Sequence, residues 1–251
     1  MYIYELYKIR GSFATNKNNI INPATKKMKR INHLLVIILL SFNFSGNAQE
    51  RQIIVGVLGG VGYTNLPCDY TKKIYNPKIN IHYGVSVDVP IGKKLSIGTG
   101  INYRKKSRKS DPFDLTDNTG NSIGKERTEF YSKFVTIPVC LAYSFGKKNQ
   151  FRFGLGGYYG RAFETGYYYN KLKIEGLDNP NVITNQFSRN DFGAFARIGF
   201  YTLIFENFYL NFDISEEFGL NNINSESKQQ SLLGKMTTQS LSIGLGIAYG
   251  F

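Results

Sequence analysis

The carboxy-terminal segment, residues 239–251, reads QSLSIGLGIAYGF and alternates large apolar with small side chains to its last residue. Its apolar face consists of Leu241, Ile243, Leu245, Ile247, Tyr249 and Phe251. The other face holds glycine, alanine and serine, whereas a half-buried strand of a soluble protein would carry charged residues there. The pattern therefore predicts a strand with lipid on one side and a narrow barrel interior on the other.

Eight segments of the chain share this alternation. The predicted strands are residues 53–63, 79–89, 94–104, 127–143, 150–160, 191–203, a strand beginning at Phe208, and residues 239–251. Short turns alternate with long polar connections, which include residues 105–125, 161–188 and 220–237. Pro138 cannot donate a ladder hydrogen bond and predicts a bulge or a local kink in the fourth strand. The sequence thus predicts an all-β fold, an eight-stranded antiparallel up-and-down transmembrane β-barrel.

The amino terminus has the three parts of a secretory signal. Residues 28–48 begin with Lys29 and Arg30, continue with an apolar run and end in Gly-Asn-Ala. The apolar run is shorter than the roughly twenty residues that a spanning helix needs. We therefore expect a signal peptide cleaved after Ala48, a barrel domain over residues 49–251 and a location in the outer membrane. Residues 1–27 form an upstream extension and are consistent with a misassigned start codon.

Composition and charge narrow the function classes. The chain is 15% aromatic, with a mean hydropathy of −0.26, which disfavours both a disordered chain and a helical membrane protein. Without the seven basic residues and one acidic residue of positions 1–48, 24 basic and 17 acidic residues remain, a net charge of +7. These charges are scattered, without a basic helix. We expect contact with outer-membrane lipid, lipopolysaccharide or surface polysaccharide, and no nucleic-acid partner.

The two cysteines are expected to be free thiols. Cys68 falls in a predicted outer loop and Cys140 near the opposite end of a strand, too far apart for a disulfide. Neither cysteine belongs to a cluster with metal-ligand spacing, and the strand glycines lack the helix and the Lys-Ser/Thr of a phosphate loop. No metal site and no cofactor are expected.

Charged residues also occur on the predicted inward faces. They are Asp88, Arg152, Arg197, Asp213 and Glu217. The interior of an eight-stranded barrel is filled by its own side chains, so we expect the arginines to pair with these acids as a structural plug. The alternative is a gated polar path or a catalytic cluster. His82, Ser86 and Asp88 share one face merely by period two, without a nucleophile elbow, and we expect no enzymatic activity.

Two groups of residues in the predicted loops are candidates for recognition of a protein or a glycan. They are Arg104, Lys105, Lys106, Arg108 and Lys109 in one group and Tyr167, Tyr168 and Tyr169 in the other. The ordinary composition of solvated loops explains both groups nearly as well.

A strand-turn-strand block over residues 134–163 resembles the PorT-like outer-membrane β-barrel family of Gram-negative bacteria. The matching residues are Phe134, Ile137, Pro138, Leu141 and Tyr143, followed by Phe153, Gly154, Gly157 and Tyr158. Residues 190–200 look like the sixth strand of that family, and Phe251 matches the terminal residue that outer-membrane insertion machinery reads. The resemblance implies a barrel in the outer membrane. The named member of the family is linked to protein secretion.

These features predict a non-catalytic outer-membrane barrel with a structural, surface-interaction or secretion-accessory role. The first alternative is a narrow pore for small solutes, which needs a continuous water path. A membrane-embedded hydrolase would need catalytic acids or histidines at the outer rim. A soluble ligand-binding barrel would need charged outer faces, whereas the predicted outward faces contain essentially no charge.

Overall fold

The computed structural model describes residues 52–69, 75–116, 119–146, 148–169, 180–224 and 234–251. The predicted extension, residues 1–27, and the predicted signal peptide, residues 28–48, lie outside the described residues. The one helix in the described residues is a 3-10 turn, Thr184–Gln186. In this described part of the chain, no helix has the length and apolar character needed to cross a membrane.

Eleven β-strands occur in the described residues. They are β1 Ile54–Asn65, β2 Tyr75–Pro90, β3 Leu95–Ser110, β4 Phe113–Thr116, β5 Ser122–Glu126, β6 Thr128–Phe145, β7 Asn149–Tyr169, β8 Asn181–Val182, β9 Asn190–Phe205, β10 Phe208–Gly219 and β11 Gln239–Gly250. Strands β4 and β5 form a separate hairpin, and the two-residue β8 adds to the outer end of β7. The other eight strands form one sheet.

This sheet closes into a barrel. Each of the eight strands pairs antiparallel with its neighbours in the barrel, and β3 pairs with β6 across the excursion made by β4 and β5. The first and last strands pair along their whole length, from Ile54 opposite Gly250 to Asn65 opposite Gln239. The predicted eight-stranded antiparallel up-and-down barrel is therefore confirmed.

The barrel wall has its apolar side outside. The outward side chains of Ile81 and Leu245 are 63% and 61% exposed, whereas the inward Ser242 is 1% exposed. The backbones of β1 and β11 approach each other closely on the lumen side, because a Cβ on Gly60 would lie 2.0 Å from the carbonyl oxygen of Ile243. An exposed apolar wall around a buried small and polar interior is the arrangement of a membrane barrel.

The predicted boundaries of two long loops are wrong. Strand β3 continues to Ser110, although the sequence placed a loop from residue 105. Strand β7 likewise continues to Tyr169, although the sequence placed a loop from residue 161. In both segments the outward faces become charged, so the apolar alternation used to find strands stops before the hydrogen-bonded ladder does.

The sequence predicted a bulge or a local kink at Pro138, and no bulge lies there. Pairing of β6 with β3 passes from Thr99 opposite Val139 to Asn102 opposite Thr136 without a change of register. The register shift between β6 and β7 lies instead at Lys133/Phe134. The pairs at Pro138 and Ile137 are missing from the β3–β6 ladder, but the proline does not change its register.

One side of the barrel is taller than the other. Strands β3, β6 and β7 have 16, 18 and 21 residues, whereas β1, β10 and β11 each have 12. The additional length lies next to the long connections, which in outer-membrane barrels face the cell exterior. We call the extensions over residues 105–110, 128–134 and 161–169 the raised wall.

A single acidic side chain lies on the outward face below the rim of β10. Glu216 is exposed, with Ala196 and Leu241 opposite it on the two neighbouring strands and Ile214 and Phe218 on the same face. It lies four residues from Leu220, where β10 has ended, a distance of about 10 Å along a tilted strand. Glu216 therefore lies within the apolar band, where the sequence had predicted essentially no charge.

Replacing this carboxyl group is expected to stabilise the barrel. Glu216→Leu should raise the free energy of unfolding by about 1 to 2 kcal/mol, because an acidic side chain on the lipid face is unfavourable. The measurement is urea unfolding of the barrel refolded in lipid vesicles. The control is Glu217→Leu, the same change on the next, inward-facing residue, which should destabilise. A loss of stability in Glu216→Leu would contradict the lipid-facing position.

Candidate functional site

The lumen contains a lower ionic layer near the short turns. Asp88 on β2 receives a hydrogen bond from Arg152 on β7, with 2.9 Å between Nη1 and Oδ2, and pairs with Arg197 on β9 through its other oxygen. The Arg152 guanidinium also lies 4.2 Å from the ring centroid of Tyr201 and donates to Gln150 over 3.2 Å. One carboxylate thus joins two arginines from the opposite side of the barrel.

Asp213 is placed beside this layer. It forms no direct ion pair with an arginine of the described residues, although the sequence predicted it as one of the possible partners of Arg152 and Arg197. It lines a cavity of about 20 Å³ together with Arg197, Tyr201 and Ser215. A cavity of this volume has room for about one water molecule.

An upper ionic layer lies toward the long loops and is centred on Glu217. Its carboxylate lies 2.8 Å from Nε of Arg104 and 3.0 Å from Nζ of Lys106, and it accepts a hydrogen bond of 3.1 Å from Thr136. Lys106 also pairs with Asp191 on β9 over 3.1 Å. Two cations from β3 therefore meet two carboxylates from β9 and β10.

Lys106 is fully enclosed at this level. Its side chain and those of Glu217 and Asp191 have 0% exposure. Its ammonium group lies 4.6 Å from the ring centroid of Tyr158 and 5.2 Å from that of Phe134. A buried ammonium group is stable only when it is paired and hydrogen-bonded, and this one has two carboxylates.

The placement of three predicted loop residues is corrected by these contacts. Arg104, Lys106 and Arg108 belong to β3 and are buried. The guanidinium of Arg108 lies over the ring of Tyr75 at 4.3 Å from its centroid. Their even spacing continues the inward positions of β3 beyond Asn102, so the period of two was the signal that could have found them.

The other two basic residues of that group face outward on β3. Lys105 forms an ion pair with Glu129 over 2.8 Å, and Lys109 lies opposite Glu129 on β6. Both belong to the raised wall rather than to a loop.

The three tyrosines predicted in a loop also lie on a strand, at the outer end of β7. Tyr167 packs against buried residues inside the barrel mouth, whereas Tyr168 stacks on Tyr131 with 4.6 Å between the ring centroids. Tyr169 is the last residue of β7. The tyrosines therefore do not form one continuous recognition surface.

An apolar cap covers the lumen at the same end. It consists of Leu66, Cys68, Phe130, Phe187, Ile223 and Met236, with Tyr167 and Ile183 packed against them. Backbone hydrogen bonds join its loops, from Thr237 to the carbonyl of Pro67 over 3.0 Å and from Ser188 to that of Ile223 over 2.8 Å. No sequence pattern predicted this cap, because its members come from separate loops and from the outer end of β6.

The hypothetical Ser/His/Asp group is not joined in the structure. Asp88 is occupied by the two arginines, and Nδ1 of His82 has no hydrogen-bond partner among the described residues. Both cysteines are buried, and neither forms a disulfide. Across the described ranges, no group of three or more His, Cys, Asp or Glu residues is arranged to hold a metal ion.

Breaking the upper layer is expected to be costly. Lys106→Met should lower the free energy of unfolding by about 3 to 5 kcal/mol, because it leaves buried carboxylates without their cation. Lys105→Met removes the neighbouring but partly exposed charge and should cost less than about 1 kcal/mol. Urea unfolding of both variants in the same detergent gives the comparison, and equal losses would contradict a special role for the buried layer.

Comparisons with known proteins agree with this architecture. Residues 47–225 match a family model described as "Outer membrane protein beta-barrel domain". No curated protein matches the chain in sequence.

Solved structures of similar shape include several outer-membrane proteins. A major outer membrane protein from Thermus thermophilus has 15% identity and a TM-score of 0.49, with 81% of this chain and 100% of that chain covered. OprG from Pseudomonas aeruginosa has 13% identity and a TM-score of 0.40, with coverages of 81% and 98%. The outer membrane protease OmpT from Escherichia coli has 9% identity and a TM-score of 0.41, with coverages of 83% and 99%. At these values the likenesses carry no argument about activity.

The family assignment rests on the matched sequence, which spans most of the barrel. The chain belongs to the family of outer membrane protein beta-barrel domains.

Proposed function

We propose that this outer-membrane protein is a closed, non-catalytic barrel with a structural, surface-interaction or secretion-accessory role. The observation that carries this proposal is the filling of the lumen at three successive levels. The lower ionic layer, the upper ionic layer and the apolar cap lie one above another along the barrel axis.

Each level joins opposite sides of the barrel. Asp88 on β2 reaches Arg152 on β7 and Arg197 on β9. Above it, Glu217 on β10 reaches Arg104 and Lys106 on β3. Ions would have to displace paired, desolvated charges twice and then pass an apolar cap. This is the main argument against a narrow pore.

The surface that contacts a partner in this proposal is the extracellular end of the barrel, where the raised wall lies. The β4–β5 hairpin follows β3 and exposes Phe113, which is 43% exposed. Lys105 and Lys109 lie on the outer face just before it. A protein or a glycan at this end is our proposed partner, and no catalytic group is needed for such a role.

Two finer assignments belong to the same proposal. The chain is a PorT-like member of its family in a Gram-negative bacterium, as the Ile137-Pro138 block supports. Residues 28–48 direct export and are cleaved, and the outer-membrane insertion machinery then reads the last strand. Phe251 is 70% exposed and packs edge-on against Tyr249 with 4.7 Å between ring centroids, so it is accessible to that machinery.

The insertion signal can be tested at this terminal residue. Phe251→Ala, expressed from Met28 in a Gram-negative host, should reduce the folded barrel in the outer membrane several-fold. The matched control is Phe208→Ala, which removes a ring of the same aromatic cluster but leaves the carboxy terminus intact. Folded protein is measured as the band that migrates faster before boiling, and an equal reduction in both variants would contradict a specific terminal signal.

The closed lumen is tested by conductance. The wild-type barrel, reconstituted in a planar bilayer, should give no current steps above the lipid baseline. Asp88→Ala combined with Arg197→Ala removes a paired positive and negative charge from the lower layer. This variant should also remain closed, because the upper layer and the cap lie in series with the layer removed.

A porin added to the same bilayer at the end of each recording shows that channels are detectable. Reproducible wild-type current steps would replace the closed barrel by the narrow pore. Current steps in the double variant alone would show that the upper layer and the cap do not seal the lumen.

A further inference from the structure

We propose that the outer surface at the base of the raised wall binds the phosphorylated headgroup of an outer-membrane lipid. This inference concerns the outside of the barrel and rests on its location in the outer membrane. It does not depend on whether the lumen is closed.

Cations on the outward face are confined to one side of the barrel. They are Lys78, Lys105, Lys109, Lys133 and Arg161, on strands β2, β3, β6 and β7, and we call them the basic belt. The outward positions of β9, β10, β11 and β1, all described throughout, contain no lysine or arginine. A general affinity for a negative membrane surface would not require this asymmetry.

The basic belt keeps an excess of positive charge after its internal pairing. Glu129 pairs with both Lys78 and Lys105, and Glu164 pairs with Lys133 over 2.9 Å. Lys109 and Arg161 have no ion pair among the described residues. Three of the five cations therefore share two carboxylates, and the five cations and two carboxylates together give this outer surface a net charge of +3.

Two of the paired groups, Glu129 and Lys133, have shifted pKa values. Burial raises the pKa of Glu129, but hydrogen bonds from Lys105 and Lys78 outweigh this effect and hold the pKa below its usual value. The hydrogen bond to Glu164 raises the pKa of Lys133. Both shifts favour the charged forms of Glu129 and Lys133.

Two tyrosine rings hold two of the ammonium groups in place. The ammonium group of Lys105 lies 5.1 Å from the ring centroid of Tyr131 and 4.9 Å from that of Tyr168. The ammonium group of Lys133 lies 5.6 Å from the Tyr131 centroid. Cation–π contacts of this kind position the two charges around one shared ring and reduce the conformational entropy lost when they bind an anion.

The belt adjoins aromatic and aliphatic residues that face lipid. Tyr83 stacks on Tyr103 with 4.8 Å between the centroids, and Tyr103 packs against Phe163 at 6.1 Å. Toward the short turns, the same outward faces continue with Ile101 and Val85, both exposed. Aromatic rings mark the interfacial depth of a membrane, so the neighbouring cations lie at the level of lipid headgroups.

This arrangement favours a lipid over a soluble anion. A phosphorylated lipid can place its phosphate on the basic belt while its acyl chains cover the aliphatic wall below. A free phosphate would gain only the electrostatic part, which is screened at physiological ionic strength.

The test compares three ligands on the full barrel in nanodiscs of zwitterionic lipid. They are a bis-phosphorylated lipid A, the same lipid after enzymatic dephosphorylation, and inorganic phosphate at the same phosphate concentration. Lipid molecules retained per barrel, counted by native mass spectrometry, should increase with the phosphorylated lipid and not with its dephosphorylated form. Inorganic phosphate should produce no displacement of bound lipid.

The decisive variant carries Lys105→Gln, Lys133→Gln and Arg161→Gln together. Its apparent affinity for the phosphorylated lipid should fall at least ten-fold. The matched control carries Lys93→Gln, Lys94→Gln and Lys148→Gln, the same loss of charge at the short turns, and should bind like the wild type. The faster-migrating unboiled band verifies that each barrel is folded.

Three outcomes would overturn the proposal. These are equal retention of the two lipid forms by the wild type, equal loss of affinity in both triple variants, and complete displacement of lipid by inorganic phosphate. If the Gln variant at the raised wall does not fold, Arg161→Gln alone serves instead, because this exposed side chain has no ion pair among the described residues. It should still bind the phosphorylated lipid more weakly than Lys148→Gln does.

Discussion

Pairing of the first strand with the last is the constraint on which the rest of the structure depends. Once β1 and β11 are joined, none of the eight barrel strands has an unpaired edge along the wall. Closure with eight strands also fixes a narrow interior, which side chains fill. Charges that point inward therefore have no bulk water to solvate them and must find each other. The ionic layers are a consequence of the strand number as much as of the residues themselves.

The sequence predicts the membrane-spanning part of this barrel well, because lipid on one side enforces a strict period of two. It predicts the ends of the strands poorly. At Lys105 the outward face changes from apolar to charged, although the backbone continues as a strand to Ser110. The period itself persists there, with Arg104, Lys106 and Arg108 still inward. The apolar pattern therefore ends before the strand does, whereas the alternation of inward and outward positions continues.

Other features of the candidate site could not be predicted from any local sequence pattern. The pairing of Glu217 with Lys106 depends on which residues face each other across the lumen, and strand tilt and register determine that. The apolar cap assembles from loops and a strand end that are distant in sequence. The bulge at Lys133/Phe134 changes which residues of β7 point inward, so that Thr165 and Tyr167 follow Ala162 on the inner face. Such a parity change cannot be located without the partner strand.

The distribution of lumen charges has a consequence for how the barrel assembles. The inward positions of β1 and β11 are occupied by glycine, alanine, serine and other uncharged residues, such as Gly60 and Ser242. The ion-paired lumen residues all lie on strands between β2 and β10. The seam can consequently join after the ionic layers have formed, and no unpaired charge has to cross the closing gap. The neutral first and last strands of the barrel thus allow the ring to close without moving a charged side chain through the seam.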